Sequence, residues 1–188
     1  MSRLRWPGAA LTAPHTKRLL IERTWDGASI EPAERASVWV TRADSGLSVA
    51  VESAFHGDAA PTAPVGRTPG LWEHEVVEVF IAGEGEAYLE LEFGPHGHYL
   101  ALWLEGIRRP ASLDLELRYH AERAGGQWRG LAQLGPSVPL PPPPWRLNAY
   151  AIHGLGSARR YLAHAPVPGA QPDFHRPDSF VPWEALPA

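Results

Sequence analysis

The chain of 188 residues has no cysteine, one methionine and no surplus of positive charge. Without cysteine, no disulfide and no zinc–thiolate site can form. That usage is expected of a reducing compartment. A formal net charge of −4 leaves no basic face to neutralise phosphates, so nucleic acid is not expected as the main partner. Long apolar runs are also missing. Those near the start are cut by Pro7, Gly8, Thr12 and Pro14. No signal peptide and no membrane span is read there, and a soluble cytoplasmic protein is expected. Helix signals are few: PAERAS (32–37) suits one or two turns, with Pro32 near the start.

What is present is enough apolar material for one packed domain, 44% of the residues, broken into short elements by twenty prolines and eighteen glycines. Alternation of period two recurs along the chain. SVWVTR (37–42) and LSVAVESAF (47–55) read as a hairpin across ADSG. EVVEVFIAG (75–83), AYLELEF (87–93) and HYLALWL (98–104) follow, joined by GEGE and GPHG. LDLELRYH (113–120) alternates from Leu113 and Asp114 onward, and AGGQ turns it into WRGLAQL (128–134). WRLNAYAIHG (145–154) and RYLAHA (160–165) read as the last strands. PLPPPP (139–144) cannot join a central strand and reads as a stiff connector that delivers Trp145. Eight to ten short strands with turns between them predict an all-β, antiparallel β-sandwich of jelly-roll type. Residues 1–36 read as an N-terminal extension packed on a domain of residues 37–188.

The run LWEHEVVEVF (71–80) carries three glutamates and a histidine within a strand pattern. On a strand, Val77, Val79 and Ile81 share a core face, and Val76, Glu78 and Phe80 share the other. A carboxylate between apolar neighbours is partly desolvated and needs a cation or a hydroxyl donor. The next strand repeats the pattern, with Leu89, Leu91 and Phe93 inward and Tyr88, Glu90 and Glu92 outward. In WRLNAY, Arg146, Asn148 and Tyr150 alternate with Trp145, Leu147 and Ala149. Three strands could therefore present Glu78, Glu90, Glu92, Arg146, Asn148 and Tyr150 together. Such a face, edged by tryptophan, has the chemistry that holds sugars: polar side chains meet hydroxyls and aromatic rings meet C–H faces. A solvated sheet face with cross-strand Arg–Glu pairs is the plainer alternative.

LWEHEVVEVFIAG resembles the W-E-x-[DE]-x-V-E-[VI]-F segment of family 9 carbohydrate-binding modules and of DOMON-like domains. YLELEFGPHGHYL, WRLNAYAIHG, YLAHAP and FHRPDSFVPW are similar, in the same order, to segments of the bacterial DOMON-like members. The resemblance spans roughly residues 37–186. It implies a jelly-roll β-sandwich whose sugar-binding members clamp a terminal sugar between two tryptophans. Trp72 matches the first of these, Glu78 a sugar-contacting glutamate, and Asn148 a polar position on a late strand. His164 stands where the second tryptophan is expected, and Glu90 where an arginine occurs in sugar-binding members. The resemblance implies a non-catalytic module for a small carbohydrate or polyol, with Trp72 and His164 as walls and Glu78, Glu90, Arg146 and Asn148 as polar partners.

Other chemistries fit the residues less well. HEVVE (74–78) ends in glutamate and is rich in β-branched residues, unlike a zinc-binding HExxH helix. His96 and His98 flank a glycine and read as a solvated turn. Some DOMON relatives bind haem through methionine and histidine. Met1 is the only methionine, which leaves bis-histidine ligation as the open haem arrangement. The six aspartates are scattered, so no calcium loop is predicted, and no metal or cofactor is expected. Glu78 with Glu90 or Glu92 could reach the spacing of a retaining hydrolase, but nothing in the alternation marks an acid of raised pKa. A scaffold domain with a protein partner is the main alternative to sugar binding.

Overall fold

The computed structural model describes residues 15–43, 46–112 and 115–188. Wherever β-branched and aromatic residues recur at every second position, the chain forms strands. One sheet has the order β1 (Thr16–Ile21), β3 (Ala36–Ala43), β4 (Gly46–Ala54), β10 (Gln127–Leu134), β9 (Arg118–Ala124). The other runs β2 (Arg23–Thr24), β12 (Arg160–Ala163), β11 (Arg146–His153), β5 (Val76–Ala82), β6 (Ala87–Phe93), β7 (Tyr99–Glu105), β8 (Pro110–Ser112), and β13 (Val181–Pro182) adds to β11. The pairs within both sheets are antiparallel. This is the antiparallel β-sandwich expected from the alternation.

The two sheets bury their facing sides against each other. Val38, Val40, Val49 and Val51 of one sheet meet Val77, Val79, Ile81, Leu89, Leu91 and Leu147 of the other. The second sheet also buries its outer side. There Val76, Phe80, Tyr88, Leu102, Tyr150 and Ile152 form a smaller apolar cluster, capped by Phe174 and Phe180 of the C-terminal arm. That arm explains why β5 is buried at every position. It also puts charged residues of the strand under cover instead of in water.

Several elements differ from the sequence reading. LWE (71–73) is a 3-10 turn and the strand starts at Val76, so Glu75 lies just before β5. The Glu75 carboxylate accepts the backbone N–H groups of His56 (3.0 Å) and Asp58 (3.3 Å) and ties the segment after β4 to the strand's start. β9 begins at Arg118; Leu115 and Leu117 still pack on the core, while Leu113 and Asp114 lie outside the described residues. Asp44 and Ser45 of the first hairpin turn also lie outside them. The AGGQ turn is a two-residue hairpin in which Gly125 (φ 59°) and Gly126 (φ 77°) both take left-handed backbone, the geometry of a type I′ turn. Residues 16–24, within the segment read as an extension, form β1 and β2, one in each sheet, and Leu19 and Ile21 enter the core. His98 is buried and His96 partly buried. Each ring bonds a backbone carbonyl, Asp58 at 3.1 Å and Ala63 at 3.0 Å, so the turn is fastened to the loop before β5.

A candidate ligand pocket floored by buried glutamates

β5 and β6 are the strands that build the floor. Their register sets Glu78 opposite Glu92 and Phe80 opposite Glu90. Period two then puts all three glutamates on the side away from the main core. Their exposures are 3%, 4% and 0% for Glu78, Glu90 and Glu92. One carboxylate oxygen from each can be chosen so that all lie within 4.8 Å of one another. Oε2 of Glu90 and both carboxylate oxygens of Glu92 are buried with no hydrogen-bond partner among the described residues.

Three like charges this close and this dry cannot all be ionised. Burial is the main cause that raises all three pKa values; for Glu78 and Glu92 the neighbouring carboxylates push the same way. Glu90 is pushed up to about 8, against the pull of Arg108. Arg159 draws Glu78 down, and the backbone amide of Trp72 draws Glu92 down without meeting hydrogen-bond geometry there. Near neutral pH the floor therefore retains protons.

A cavity of about 330 Å³ opens above this floor. Glu78 and Glu90 line it from below, and Trp72, Tyr161 and Phe174 supply aromatic wall. Trp72 is 46% exposed, unusual for so large an apolar side chain. Its backbone is held in place: the Arg159 guanidinium donates to the carbonyls of Trp72 and Glu73 and lies over the Tyr161 ring, 5.6 Å from its centroid. Phe174 is fixed by parallel stacking on Tyr150 at 3.9 Å.

Arg108 lines the same cavity and is the one non-glycine residue of left-handed backbone among the described residues, at φ 55°. That conformation costs about 1–2 kcal/mol. Its partners hold it there. The backbone N–H donates to the Tyr88 hydroxyl at 3.2 Å, and the guanidinium donates to Asp173 at 2.8 Å. The Tyr88 hydroxyl in turn lies 2.7 Å from Nδ1 of His175. Burial lowers the His175 pKa to about 4, so the ring is neutral near pH 7. The direction of that bond follows the imidazole tautomer, because the Tyr88 hydroxyl has two lone pairs and can accept from Arg108 while either accepting from Nδ1–H or donating to a bare Nδ1.

Of the six residues read as polar or stacking partners, the structure gathers Trp72, Glu78 and Glu90 in this cavity. The other three lie elsewhere. Arg146, at the start of β11, opens on a separate depression beside Gly85 and Asp178. Asn148 is completely buried: Nδ2 donates to the Tyr150 hydroxyl and the Ala165 carbonyl, and Oδ1 accepts from the Ala149 and Ala165 N–H groups. Its amide is saturated and has no capacity left for a ligand. His164 is bonded through Nδ1 to the Leu20 carbonyl of β1 at 3.0 Å, so its ring is engaged with the strand edge and not opposite Trp72. The facing aromatics are Tyr161 and Phe174. Tyr161 lies on β12, within the strand read at 160–165, but Phe174 reaches the wall through the fold of the C-terminal arm, which alternation does not reveal.

The glutamate cluster is the one group of three or more histidines, aspartates and glutamates with metal-ligand spacing among the described residues. The sequence reading places all three glutamates on one face. Their mutual contact depends on the register of β5 against β6, which the sequence does not display.

The fold is that of carbohydrate-binding β-sandwich proteins. A proposed carbohydrate-binding protein from Bacteroides uniformis superposes with a TM-score of 0.69 at 15% identity, over 91% of this chain and 87% of that one. A family 9 carbohydrate-binding module from Caldicellulosiruptor kristjanssonii, solved with cellotriose, superposes with a TM-score of 0.50 at 13% identity, over 80% of this chain and 71% of that one. No protein-family model matches the chain. By sequence it belongs to the UPF0462 family. It is 37% identical over 175 residues to the UPF0462 protein C4orf33 homolog of Mus musculus, covering 87% of this chain and 88% of the mouse protein. The human UPF0462 protein C4orf33 is 38% identical over 167 residues, covering 82% of this chain and 81% of that one.

Proposed function

We propose that the chain is a non-catalytic binding protein for a small carbohydrate or related polyol, held in the cavity above Glu78 and Glu90. The half-exposed Trp72 ring beside a floor of buried carboxylates is the observation that carries this reading. A pyranose presents a C–H face to such a ring and hydroxyls to such a floor. The cavity, about 330 Å³, is of the size that encloses one small ligand. The likeness of the fold to carbohydrate-binding β-sandwiches supports the same assignment.

Hydrolysis fits this cavity less well. An acid–base pair needs two carboxylates whose environments push their pKa values apart. Here burial raises all three, and Glu78 and Glu90 are diagonal neighbours on adjacent strands with the same desolvated environment.

Intrinsic tryptophan fluorescence, titrated with a panel of mono- and disaccharides, tests the assignment. A saturable change is expected, and its loss in Trp72→Ala with the fold intact by circular dichroism. A folded wild-type protein that responds to no sugar or polyol would sink the proposal and point to the scaffold reading.

A further inference from the structure

A site for a neutral sugar has no evident need of three buried carboxylates in mutual contact. Cross-strand glutamates such as Glu78 and Glu92 destabilise a sheet when ionised. Protonation removes the repulsion, yet buried polar atoms still want partners, and Oε2 of Glu90 and both oxygens of Glu92 have none among the described residues. Glu92 is fully buried and belongs to the same cluster as the two floor residues. These free acceptors, clustered beneath an open cavity, indicate a donor-rich, positively charged group as the missing partner.

We propose that the pocket takes an amine-bearing sugar or polyol, with its ammonium seated on Glu78 and Glu90 and backed by Glu92. This rests on the reading of the cavity as a carbohydrate site and names the class of carbohydrate. The geometry suits an ammonium. Charge-assisted N–H···O bonds of about 2.8 Å along three tetrahedral directions place their acceptors roughly 4.6 Å apart. The three glutamates offer oxygens within 4.8 Å of one another. A hydroxyl carries one proton and can satisfy one such acceptor; an ammonium carries three. The walls agree, because Trp72, Tyr161 and Phe174 turn aromatic surface to the cavity and aromatic faces attract cations.

Among the described residues, the two arginines whose charge reaches Glu78 and Glu90 give hydrogen bonds to other groups. Arg108 donates to Asp173, and Arg159 donates to the carbonyls of Trp72, Glu73 and Gly154. A divalent metal fits less well. Calcium and magnesium require about six or more oxygen ligands, and above the carboxylates the wall is largely aromatic and aliphatic, with Leu102, Leu104 and Ile152 beside the aromatic rings.

The test compares three ligands on the full chain by isothermal titration calorimetry at about pH 6.5, where such an amine is protonated. They are 2-amino-2-deoxyglucose, its N-acetyl form and glucose. Calcium and magnesium chloride are titrated separately. The amino sugar is expected to bind at least about tenfold more tightly than the two neutral sugars. Glu90→Gln should abolish that preference. Glu78→Gln is the second variant, used if Glu90→Gln does not fold. Equal binding of charged and neutral sugars overturns the amine inference and leaves the carbohydrate assignment standing. Binding of none of the three, by folded protein, overturns the amine inference, and the broader panel above then decides whether any sugar binds. Saturable binding of either metal alone, lost in Glu90→Gln, overturns the amine in favour of a metal site.

Discussion

Asn148 illustrates how far a single residue can be read before its surroundings are known. Its place among alternating polar residues of WRLNAY suggests a ligand contact. The fold makes it a clamp between β11 and the segment after β12, with both amide protons and both carbonyl lone pairs in use. Asn148→Ala should therefore destabilise the protein by about 3 kcal/mol, since several buried donors and acceptors lose their partner. Chemical denaturation measures this directly. A loss of ligand affinity with unchanged stability would show that the amide serves the site instead. His164 follows the same pattern at smaller scale, its ring spent on the Leu20 carbonyl. Trp72, Glu78 and Glu90 were legible because their signal is local: an aromatic residue before a strand, and carboxylates between apolar neighbours. Arg108, Phe174 and His175 depend on loops and on the C-terminal arm, whose paths no periodicity records.

At the level of elements, alternation located most strands because both faces of the second sheet repeat every second residue. It failed where the chain does not alternate by burial. LWE became a 3-10 turn, and β1 was hidden inside TKRLLI, where lysine and arginine interrupt the apolar residues. The proline connector shows why some turns tolerate so little change. Gly83 ends the β5 segment directly against the connector, and a Cβ there would sit far inside contact distance of the Pro142 carbonyl oxygen and close on the Pro141 ring. That same carbonyl accepts the Glu84 N–H at 3.0 Å, and the neighbouring Pro141 carbonyl accepts the Trp145 indole N–H at 2.7 Å. Gly83→Ala must push the connector outward and loosen Trp145 from its edge contact with Trp183. The expected cost is about 2 kcal/mol. It would be read as a lower melting temperature with a blunted near-ultraviolet tryptophan signal. An unchanged signal would mean the connector shifts without carrying Trp145 along.

For the whole molecule, the buried carboxylates and buried imidazoles set opposite pH dependences. Glu78, Glu90 and Glu92 have raised pKa values in the folded state, chiefly through burial. Glu90, at about 8, gives the window. The native protein there holds protons that the unfolded chain has lost, so this contribution is complete below about pH 4.5 and disappears as pH rises through about 8. His153 and His175 are lowered to about 4, again chiefly by burial. His153 stacks face to face on His56 at 3.5 Å, and His56 is lowered as well. Their contribution is present above about pH 6.5 and is lost as pH falls through about 4. Between roughly pH 4.5 and 6.5 the two trends offset each other. Above about pH 6.5 the imidazoles are neutral in both states, and only the carboxylates act. Stability of the ligand-free protein should therefore fall between about pH 6.5 and 8, by roughly 2 kcal/mol for each proton the native state retains across that interval. Melting temperatures across this range should drop by several degrees in the wild type and by clearly less in Glu90→Gln, which has one titrating carboxyl fewer. A wild-type curve that is flat there, parallel to the variant's, would show that the floor is already ionised and neutralised by other means. A bound cation would have the same flattening effect, so the protein must first be dialysed free of amines and divalent ions. Adding the amino sugar back should then raise the melting temperature most at the alkaline end of the interval in which its amine remains charged, where the empty floor is least stable.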